Sequence, residues 1–551
     1  MERKRLGDIL VESGLLTKEQ LERTLSQKSP HEKLGDALLR EGYLTEQQLI
    51  EVLEFQLGIP HVNIFQYPID EQVVQLVPKE LAKRHQVMPI RIDDNKLFVA
   101  MADPMDYFAM EELRMVTGYQ IIPGIATKDA LYQTITKYYD LQESLEEVMH
   151  DYVPEETIDE TGITDEDSPV VRLVNQIIEN AIAQRASDIH IDPQELDVRV
   201  RYRVDGVLRT ERFLPKSMQN VIIARIKIMG NLNITESRVP QDGRIKMNIN
   251  FKPVDIRLST LPSVYGEKVV MRVLDLTNTL DQLDRLGFTD ENMNVFEQMI
   301  NRPNGIVLIT GPTGSGKSST LYAALNRLNA EEVNIITIED PVEYQLEGIN
   351  QIQVNDQVGM TFASGLRAIL RQDPDIIMVG EIRDLETAQI AIRASLTGHL
   401  VLSTLHTNSS IAALTRLIDM DIEPFLIASS LTGIVAQRLV RRICRDCVTK
   451  VAPTEREKEI FQQSGIEIDE VYRGEGCASC GGTGYRGRIA IHEVLPVDED
   501  IRSFVMKSAS ASEIRSYARK SGMKFLIDDG LQKVKQGLTT TEEVLRVAVI
   551  G

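Results

Sequence analysis

The sequence is poor in cysteine and has no long apolar stretch. Four cysteines in 551 residues exclude a disulfide framework of the kind that holds small secreted domains together. No apolar run approaches the ~18 residues that a membrane-spanning helix needs. The first residues, MERKRLGDILVES, lack the uninterrupted apolar core of a secretory signal. The chain is therefore expected to stay in the cytoplasm.

Positive charge is also scarce, because 61 Lys and Arg face 82 Asp and Glu and leave a net charge of −21. A protein that wraps nucleic acid needs a basic footprint, so nucleic acid is not an expected partner. The 42% hydrophobic and 26% charged residues are ordinary for folded domains. A chain of this length outgrows a single hydrophobic core, and three or four domains are expected.

Residues 311–318 read GPTGSGKS and stand between an apolar run and a helical pattern. Strand, glycine loop and helix form the context in which G-x-x-x-x-G-K-[ST] predicts a phosphate-binding loop. The glycines let successive backbone N–H groups face one anion, and the helix N-terminus adds positive potential. Lys317 should reach the β- and γ-phosphates, and the Ser318 hydroxyl should ligate Mg²⁺. The predicted nucleotide contacts are Gly311, Pro312, Thr313, Gly314, Ser315, Gly316, Lys317, Ser318 and Ser319.

Carboxylates follow two later predicted strands, NIITI and IIMV. In an open α/β sheet, acids at the carboxyl ends of strands are placed to handle Mg²⁺ and the attacking water. Glu343 and Glu381 are the candidate catalytic acids, and either order of their roles stays open. Glu339 and Asp340 are candidate cofactor contacts.

Two histidines, His399 and His406, flank the next predicted strand. A lone histidine is more often structural, but a pair beside a triphosphate site predicts γ-phosphate sensors or contacts to a neighbouring subunit. His406 is the candidate catalytic residue of the two, and His399 is a candidate nucleotide contact.

The segment 169–275 is rich in arginine and has no phosphate loop of its own. It begins with a helical pattern and continues as alternating strands with an Asp205-Gly206 turn. Arginines on such a domain, fused ahead of a triphosphate site, predict fingers that stabilise transition-state charge. Ordinary solvated arginines are the alternative. The arginines concerned are Arg225, Arg238, Arg244, Arg257 and Arg272.

All four cysteines lie in two C-x-x-C pairs, and the second pair sits in the glycine-rich GCASCGGTGYRG. Four thiolates can fill a tetrahedral Zn²⁺ site. A helix inserted between the pairs accounts for their wide separation. The sequence thus predicts structural zinc at Cys444, Cys447, Cys477 and Cys480, with a redox pair or free thiols as the alternative.

The N-terminal segment is a repeat, because RLGDILVESGLLTKEQLERTL returns 28 residues later as KLGDALLREGYLTEQQLIEVL. Each copy predicts two amphipathic helices, the second opened by a capping box. A small helical docking module is one interpretation. Further along, residues 87–101 predict a β-hairpin, and the acidic stretch 141–168 predicts a flexible linker. The C-terminal end predicts helices broken at Gly522 and Gly530.

Taken in order, GPTGSGKS, TIEDPVEY, LRQDPDIIMVGEIRD, TGHLVLSTLHT and the paired C-x-x-C resemble the type II secretion and type IV pilus assembly ATPase family, in its assembly branch. The resemblance implies a multidomain α/β fold with a RecA-like P-loop ATPase core at 276–551 that carries the zinc insertion. It implies a PAS-like arginine-bearing domain at 169–275 and an N-terminal regulatory or docking domain at 1–140. It also implies Mg²⁺-dependent ATP hydrolysis by a homo-hexamer that lies on the inner membrane face and drives a platform protein.

The same resemblance assigns roles to particular residues. Arg238, Arg244 and Arg257 become the candidate fingers, with Arg225 beside them. The repeat resembles domains that bind cyclic di-GMP through tandem R-L-G motifs, and Lys33 stands where the second arginine is expected. That motif comprises Arg5, Leu6, Gly7, Lys33, Leu34 and Gly35. Two other functions remain open: a RecA-like ATPase for DNA transfer or unwinding, and an adaptor that binds ATP without turnover.

Overall fold

A computed structural model describes residues 6–28, 34–44, 49, 52–54, 56, 59–62, 64, 69, 71–140, 168–249, 252–274 and 283–548. Its contacts form two compact units. The first comprises Met1–Ile177 with Cys444–Cys447 and Gly474–Tyr485, and the second comprises the rest of the chain. The cysteine-bearing segments therefore group with the N-terminal region. Among the described residues, none of the helices combines the length and apolarity needed to span a membrane.

The repeat at the N-terminus forms short helices. Thr17 and Gln20 make the predicted capping box, with each side chain bonded to the other's backbone N–H. The corresponding pair in the second copy, Thr45 and Gln48, lies outside the described residues. The helices are α1 Leu6–Glu12, α2 Lys18–Gln27 and α3 Leu34–Arg40.

The predicted hairpin is confirmed in a small α/β subdomain of the first unit. Its first two strands pair antiparallel, and the third runs parallel to the second. The strands are β1 Val87–Asp93, β2 Lys96–Met101 and β3 Gln120–Ile125. The helices are α4 Glu71–Val74, α5 Lys79–His85, α6 Tyr107–Thr117 and α7 Lys128–Ile135, the last continued by a π-helical turn at Thr136–Asp140.

The arginine-rich segment folds as a six-stranded antiparallel sheet in the order β6-β5-β4-β9-β8-β7. The predicted turn at Asp205 and Gly206 is confirmed, with positive φ at both residues (50° and 84°), as a type I′ hairpin turn requires. Its strands are β4 Ala186–Pro193, β5 Asp197–Val204, β6 Val207–Pro215, β7 Gln241–Ile249, β8 Lys252–Ser263 and β9 Gly266–Leu274. Its helices are α8 Pro169–Ala183 and α9 Gln219–Met229.

A seven-stranded sheet forms the core of the second unit, in the order β12-β11-β13-β14-β10-β15-β18. Its strands are β10 Gly305–Thr310, β11 Ile335–Glu339, β12 Asn350–Gln353, β13 Ile376–Val379, β14 Leu400–Leu405, β15 Leu431–Ile443 and β18 Tyr485–Pro496, and between the last two lie β16 Val448–Val451 and β17 Val471–Gly474. β16 and β17 form a separate two-stranded sheet. From β12 to β15 every neighbouring pair is parallel. The carboxyl ends of these strands therefore share one edge of the sheet.

Helices cover this sheet and complete the C-terminal part. They are α10 Asp290–Ile300, α11 Lys317–Leu328, α12 Phe362–Ile369, α13 Leu385–Leu396, α14 Ser410–Asp419, α15 Pro424–Ser430, α16 Glu455–Gln463, α17 Glu499–Met506, α18 Ala511–Lys520, α19 Leu526–Lys535 and α20 Thr541–Val547. The break predicted at Gly522 is confirmed, but the one at Gly530 is wrong, because α19 runs through it. A Cβ on Gly530 would lie 2.5 Å from a methyl group of Val544. Glycine is needed there so that α19 and α20 can approach closely.

Candidate active site

The phosphate-binding loop connects buried strand β10 to α11, as the spacing predicts. Gly314 and Gly316 adopt positive φ angles of 78° and 89°, which glycine alone adopts at little cost. The Lys317 ammonium donates hydrogen bonds to the carbonyl oxygens of Gly311 (2.9 Å) and Pro312 (3.1 Å). Burial lowers the pKa of Lys317. The loop thus holds a desolvated cation among its own carbonyl groups.

A glutamine on β15 ties this loop to the sheet. The Gln437 amide donates to the Ser315 carbonyl (2.9 Å) and accepts from the Thr320 hydroxyl (2.7 Å). A Cβ on Gly316 would come within 2.7 Å of the Gln437 nitrogen, so the loop passes too close for a side chain. Sequence reasoning missed Gln437. The signal was a buried Gln-Arg pair inside the otherwise apolar strand GIVAQRLV.

The first candidate acid, Glu381, follows β13 and lies next to a predicted histidine. A Glu381 oxygen is 3.0 Å from Nε2 of His406, which follows β14, and the same carboxylate pairs with Arg383. Gly380 separates β13 from Glu381. A Cβ there would lie 3.3 Å from the Glu339 Cα, so a larger residue would press on β11. The sheet edge therefore brings together Glu381 and His406, which the sequence predicted separately.

The second candidate acid, Glu343, is held by the arginine-rich domain. Arg257, on β8, places one guanidinium nitrogen 3.2 Å from the Glu343 carboxylate and donates with another to the Val342 carbonyl at 2.8 Å. Both charged side chains are partly buried. Of the predicted arginine fingers, Arg257 is the one that the structure places on a candidate acid.

The acids just before Glu343 differ in their surroundings. Glu339 is buried at the end of β11 and accepts hydrogen bonds from Tyr322, from Thr337 (2.6 Å) and from Gln351 (3.1 Å). Asp340 is exposed. The contacts of Glu339 are thus those of an anchored side chain, while Asp340 faces solvent.

Three of the four remaining predicted arginines pair with acids of their own sheet domain, among them Arg272, whose Nε lies 3.0 Å from the Asp188 carboxylate. Arg238 pairs with Glu236 and lowers the pKa of that carboxyl group to about 2. Arg244 pairs with Asp255, and Arg225 lies half-buried on α9.

His399 lies at the edge of the sheet opposite the phosphate loop. It precedes β14, and its carbonyl accepts from the backbone N–H of Gly305, where β10 begins. Its ring nitrogen Nδ1 is 2.8 Å from the Ala394 carbonyl. Because β10 and β14 are parallel, the two histidines that flank β14 cannot both face the loop. Within this chain His399 therefore lies at the end of β14 away from the phosphate loop, and its role as a nucleotide contact stays a prediction.

The four cysteines meet in one cluster within the first unit. Their sulfur atoms all lie within 4.8 Å of one another, and three of the separations are 3.8, 3.9 and 3.8 Å. Zinc–sulfur bonds of about 2.3 Å in a tetrahedron place sulfur atoms ~3.8 Å apart, whereas a disulfide needs about 2 Å. Burial raises the pKa of the Cys444 thiol to about 11. The spacing fits a four-thiolate metal site.

Backbone N–H groups complete this cluster, which we call the cysteine knuckle. Gly476 donates to Cys447 at 3.3 Å, and Cys477 and Gly484 donate to Cys480 at 3.1 and 3.3 Å. Such donors favour the thiolate form that a metal needs. A Cβ on Gly484 would lie 2.3 Å from a backbone oxygen of Gly474. Glycine is therefore required for the backbone segments at Gly474 and Gly484 to approach each other.

The R-L-G motif residues fall on the first helix of each repeat. Leu6 and Gly7 lie in α1, and Leu34 and Gly35 lie in α3, while Arg5 and Lys33 lie outside the described residues. A Cβ on Gly7 would touch Leu21 at 3.0 Å, and one on Gly35 would touch Leu49 at 2.9 Å. The two glycines thus allow the same helix-on-leucine packing in both copies.

Two family models and several curated relatives match this sequence. The family model described as Type II/IV secretion system protein matches residues 164–546, and the MshEN domain model matches residues 57–145. The type IV pilus assembly ATPase PilB of Myxococcus xanthus is 44% identical over 557 residues, which cover 98% of this chain and 98% of that protein. PilB of Thermus thermophilus is 47% identical over 502 residues and 89% of this chain. The chain spans 56% of that relative's length.

Among solved structures, the Legionella pneumophila ATPase DotB has a TM-score of 0.51 at 22% identity. The superposition covers 72% of this chain and 97% of that chain, and it supports the α/β ATPase fold alone. The family model, in contrast, matches well over half of the sequence together with its phosphate loop and candidate acids. The chain belongs to the family of Type II/IV secretion system proteins.

Proposed function

We propose that this chain is a Mg²⁺-dependent ATPase that converts ATP hydrolysis into mechanical work for type IV pilus assembly or type II protein secretion. One observation carries the proposal: Arg257 of the sheet domain contacts Glu343 of the ATPase domain. A guanidinium that pairs with a catalytic acid is expected to turn to a triphosphate when one binds, because phosphate offers it more negative charge. Nucleotide would thereby change the contact between two domains, as a motor requires.

Hydrolysis of ATP requires that the reacting groups be positioned and their charge neutralised, and it needs no covalent intermediate. Lys317 is expected to exchange its carbonyl partners for phosphate oxygens. One of Glu343 and Glu381 would orient the attacking water, and the other would hold water molecules bound to Mg²⁺. The exposed Ser318 hydroxyl would ligate the Mg²⁺ ion itself. His406 and Arg383, which both contact the Glu381 carboxylate, would hold it in position. When bound, Mg²⁺ neutralises charge on the phosphates.

The other sites of the chain would support the motor. We assign the cysteine knuckle to structural Zn²⁺, because four protein ligands leave no open position for chemistry. The N-terminal repeat is a candidate site for cyclic di-GMP, which a titration of the full chain followed by calorimetry would test.

We further propose a homo-hexamer that acts at the cytoplasmic face of the inner membrane through a platform protein. This assignment rests on the family and on relatives whose names are those of pilus assembly ATPases.

Substitution of the loop lysine tests the proposal. Lys317→Ala should abolish ATP binding and phosphate release, because nothing else in the loop carries its charge. Phosphate release is measured with Mg²⁺-ATP, and assembly is measured by light scattering. Lys520→Ala, at an exposed position on α18, is the control and should match the parent protein. A parent protein that stays monomeric and releases no phosphate would refute the proposal, and phosphate release dependent on single-stranded DNA would favour a DNA-handling ATPase instead.

A further inference from the structure

Tyr322 is a buried tyrosine on α11, the helix that begins at Lys317. Its side chain is 1% exposed. The hydroxyl donates a hydrogen bond to the Glu339 carboxylate and accepts one from the backbone N–H of Glu343 at 3.2 Å. One oxygen atom therefore connects the helix of the phosphate loop to the segment that carries a candidate catalytic acid.

Glu339 is a firm anchor for this hydroxyl. The carboxylate also accepts from Thr337 within β11 and from Gln351 in β12. Burial, together with the nearby Glu339 charge, raises the pKa of Tyr322. The hydroxyl thus keeps its proton, and its direction is fixed by an acceptor that the sheet itself holds in place.

The aromatic ring adds a second restraint. Tyr322 and Tyr344 make an edge-to-face contact with ring centroids 4.6 Å apart, which is a favourable aromatic geometry. Tyr344 directly follows Glu343. The backbone of Glu343 is consequently held by the Tyr322 hydroxyl and by ring packing at the next residue, while Arg257 holds its carboxylate.

We propose that Tyr322 is a positioning residue for Glu343, which it keeps at a fixed distance from the phosphate loop. The inference rests on the proposed ATPase function. Because α11 is a continuous helix from Lys317 through Tyr322, a movement of the loop moves the hydroxyl, and the hydroxyl carries the Glu343 backbone. Catalysis is sensitive to such placement, since an error of about 1 Å can cost ~10²-fold in rate.

Tyr322→Phe removes the hydroxyl and keeps the ring, so the packing against Tyr344 should survive. We expect kcat for ATP hydrolysis to fall about tenfold while the ATP dissociation constant changes less than about twofold. Tyr517→Phe is the matched control, because that hydroxyl also bonds carboxylates, those of Asp498 and Asp500, on the exposed α17–α18 surface. The control should leave both constants unchanged.

Two further measurements separate positioning from a general loss of structure. Without nucleotide, hydrogen exchange in the peptide that contains Glu343 should quicken in Tyr322→Phe and stay unchanged in Tyr517→Phe. In a Glu343→Gln background, Tyr322→Phe should cause little further loss of kcat, because the two residues act as one unit.

Unchanged exchange at Glu343, an undiminished kcat, or an equal loss of kcat in both backgrounds would each overturn the inference. A parent protein without any ATP hydrolysis would refute the proposed function instead. The exchange measurement would still decide the contact, because it needs no turnover.

Discussion

The phosphate loop and the cysteine knuckle are both glycine-rich turns, yet the groups that surround them come from different parts of the chain. The knuckle takes all four sulfur ligands and its N–H donors from two short segments. The candidate active site around the phosphate loop draws on elements from across the chain: Gln437 on β15 contacts the loop, Glu381 after β13 contacts His406, and Arg257 of the sheet domain contacts Glu343. A site completed by its own segments suits a structural role, whereas a distributed site can respond to movements of the elements that complete it.

Of the substitutions that test this contrast, one at Glu381 is expected to lower ATP turnover the most. Glu381→Gln keeps the size of the side chain and an acceptor for His406 and Arg383 but removes the negative charge. We expect turnover to fall at least ~10²-fold, the usual scale for losing a general base, while ATP binding remains. Phosphate release and binding of a fluorescent ATP analogue measure the two effects.

Glu386→Gln is the matched control for this change, because Glu386 is an exposed acid on α13 that pairs with Arg367. That variant should behave as the parent protein does. Normal turnover in Glu381→Gln would remove Glu381 from the chemistry and leave Glu343 as the catalytic acid.

A smaller and different effect is expected at the knuckle. Cys480→Ser should reduce bound zinc from one ion per chain to none and lower the melting temperature by on the order of 10 °C, because metal binding contributes directly to folding. ATP affinity should hardly change. Metal analysis by mass spectrometry and calorimetry provide the measurements, and Ser479→Ala, in the same loop, is the control. Retained zinc would contradict the four-thiolate site, and a large loss of ATP affinity would break the contrast between the two regions.

The contiguous motifs could be predicted from the sequence because their spacing carries the geometry. GPTGSGKS, and each C-x-x-C pair taken singly, places its functional groups within a few residues of one another. The pairing of Arg257 with Glu343 and that of Gln437 with Ser315 could not be predicted, because each depends on strand order or on the docking of one domain against another. For Gln437, the signal in the sequence was a polar side chain within an otherwise apolar predicted strand.

The two histidines show where a general rule would have improved the prediction. The sequence placed His399 and His406 at opposite ends of one strand, and a parallel sheet presents only its carboxyl edge to the phosphate loop. That rule alone selects His406. Gly530 teaches a related point, since a glycine inside a helical pattern can reflect close packing against a neighbouring helix as well as a break.

The smallest effect is predicted for Gln437, which touches the loop but would not touch the triphosphate. Gln437→Met keeps the length of the side chain and removes both hydrogen bonds, so the Ser315 carbonyl loses this buried partner, while the Thr320 hydroxyl keeps its bond to the Gly316 carbonyl. Leaving a buried carbonyl unpaired costs about 1–3 kcal/mol, part of which should appear as a loosened loop. We expect the ATP dissociation constant to rise about tenfold and kcat to change less, as measured by calorimetry and phosphate release.

Gln463→Met, at an exposed position on α16, is the control for this substitution and should change neither constant. A fall in kcat without loss of affinity would mean that Gln437 serves the reaction rather than the shape of the loop, and would place β15 among the elements that complete the catalytic site.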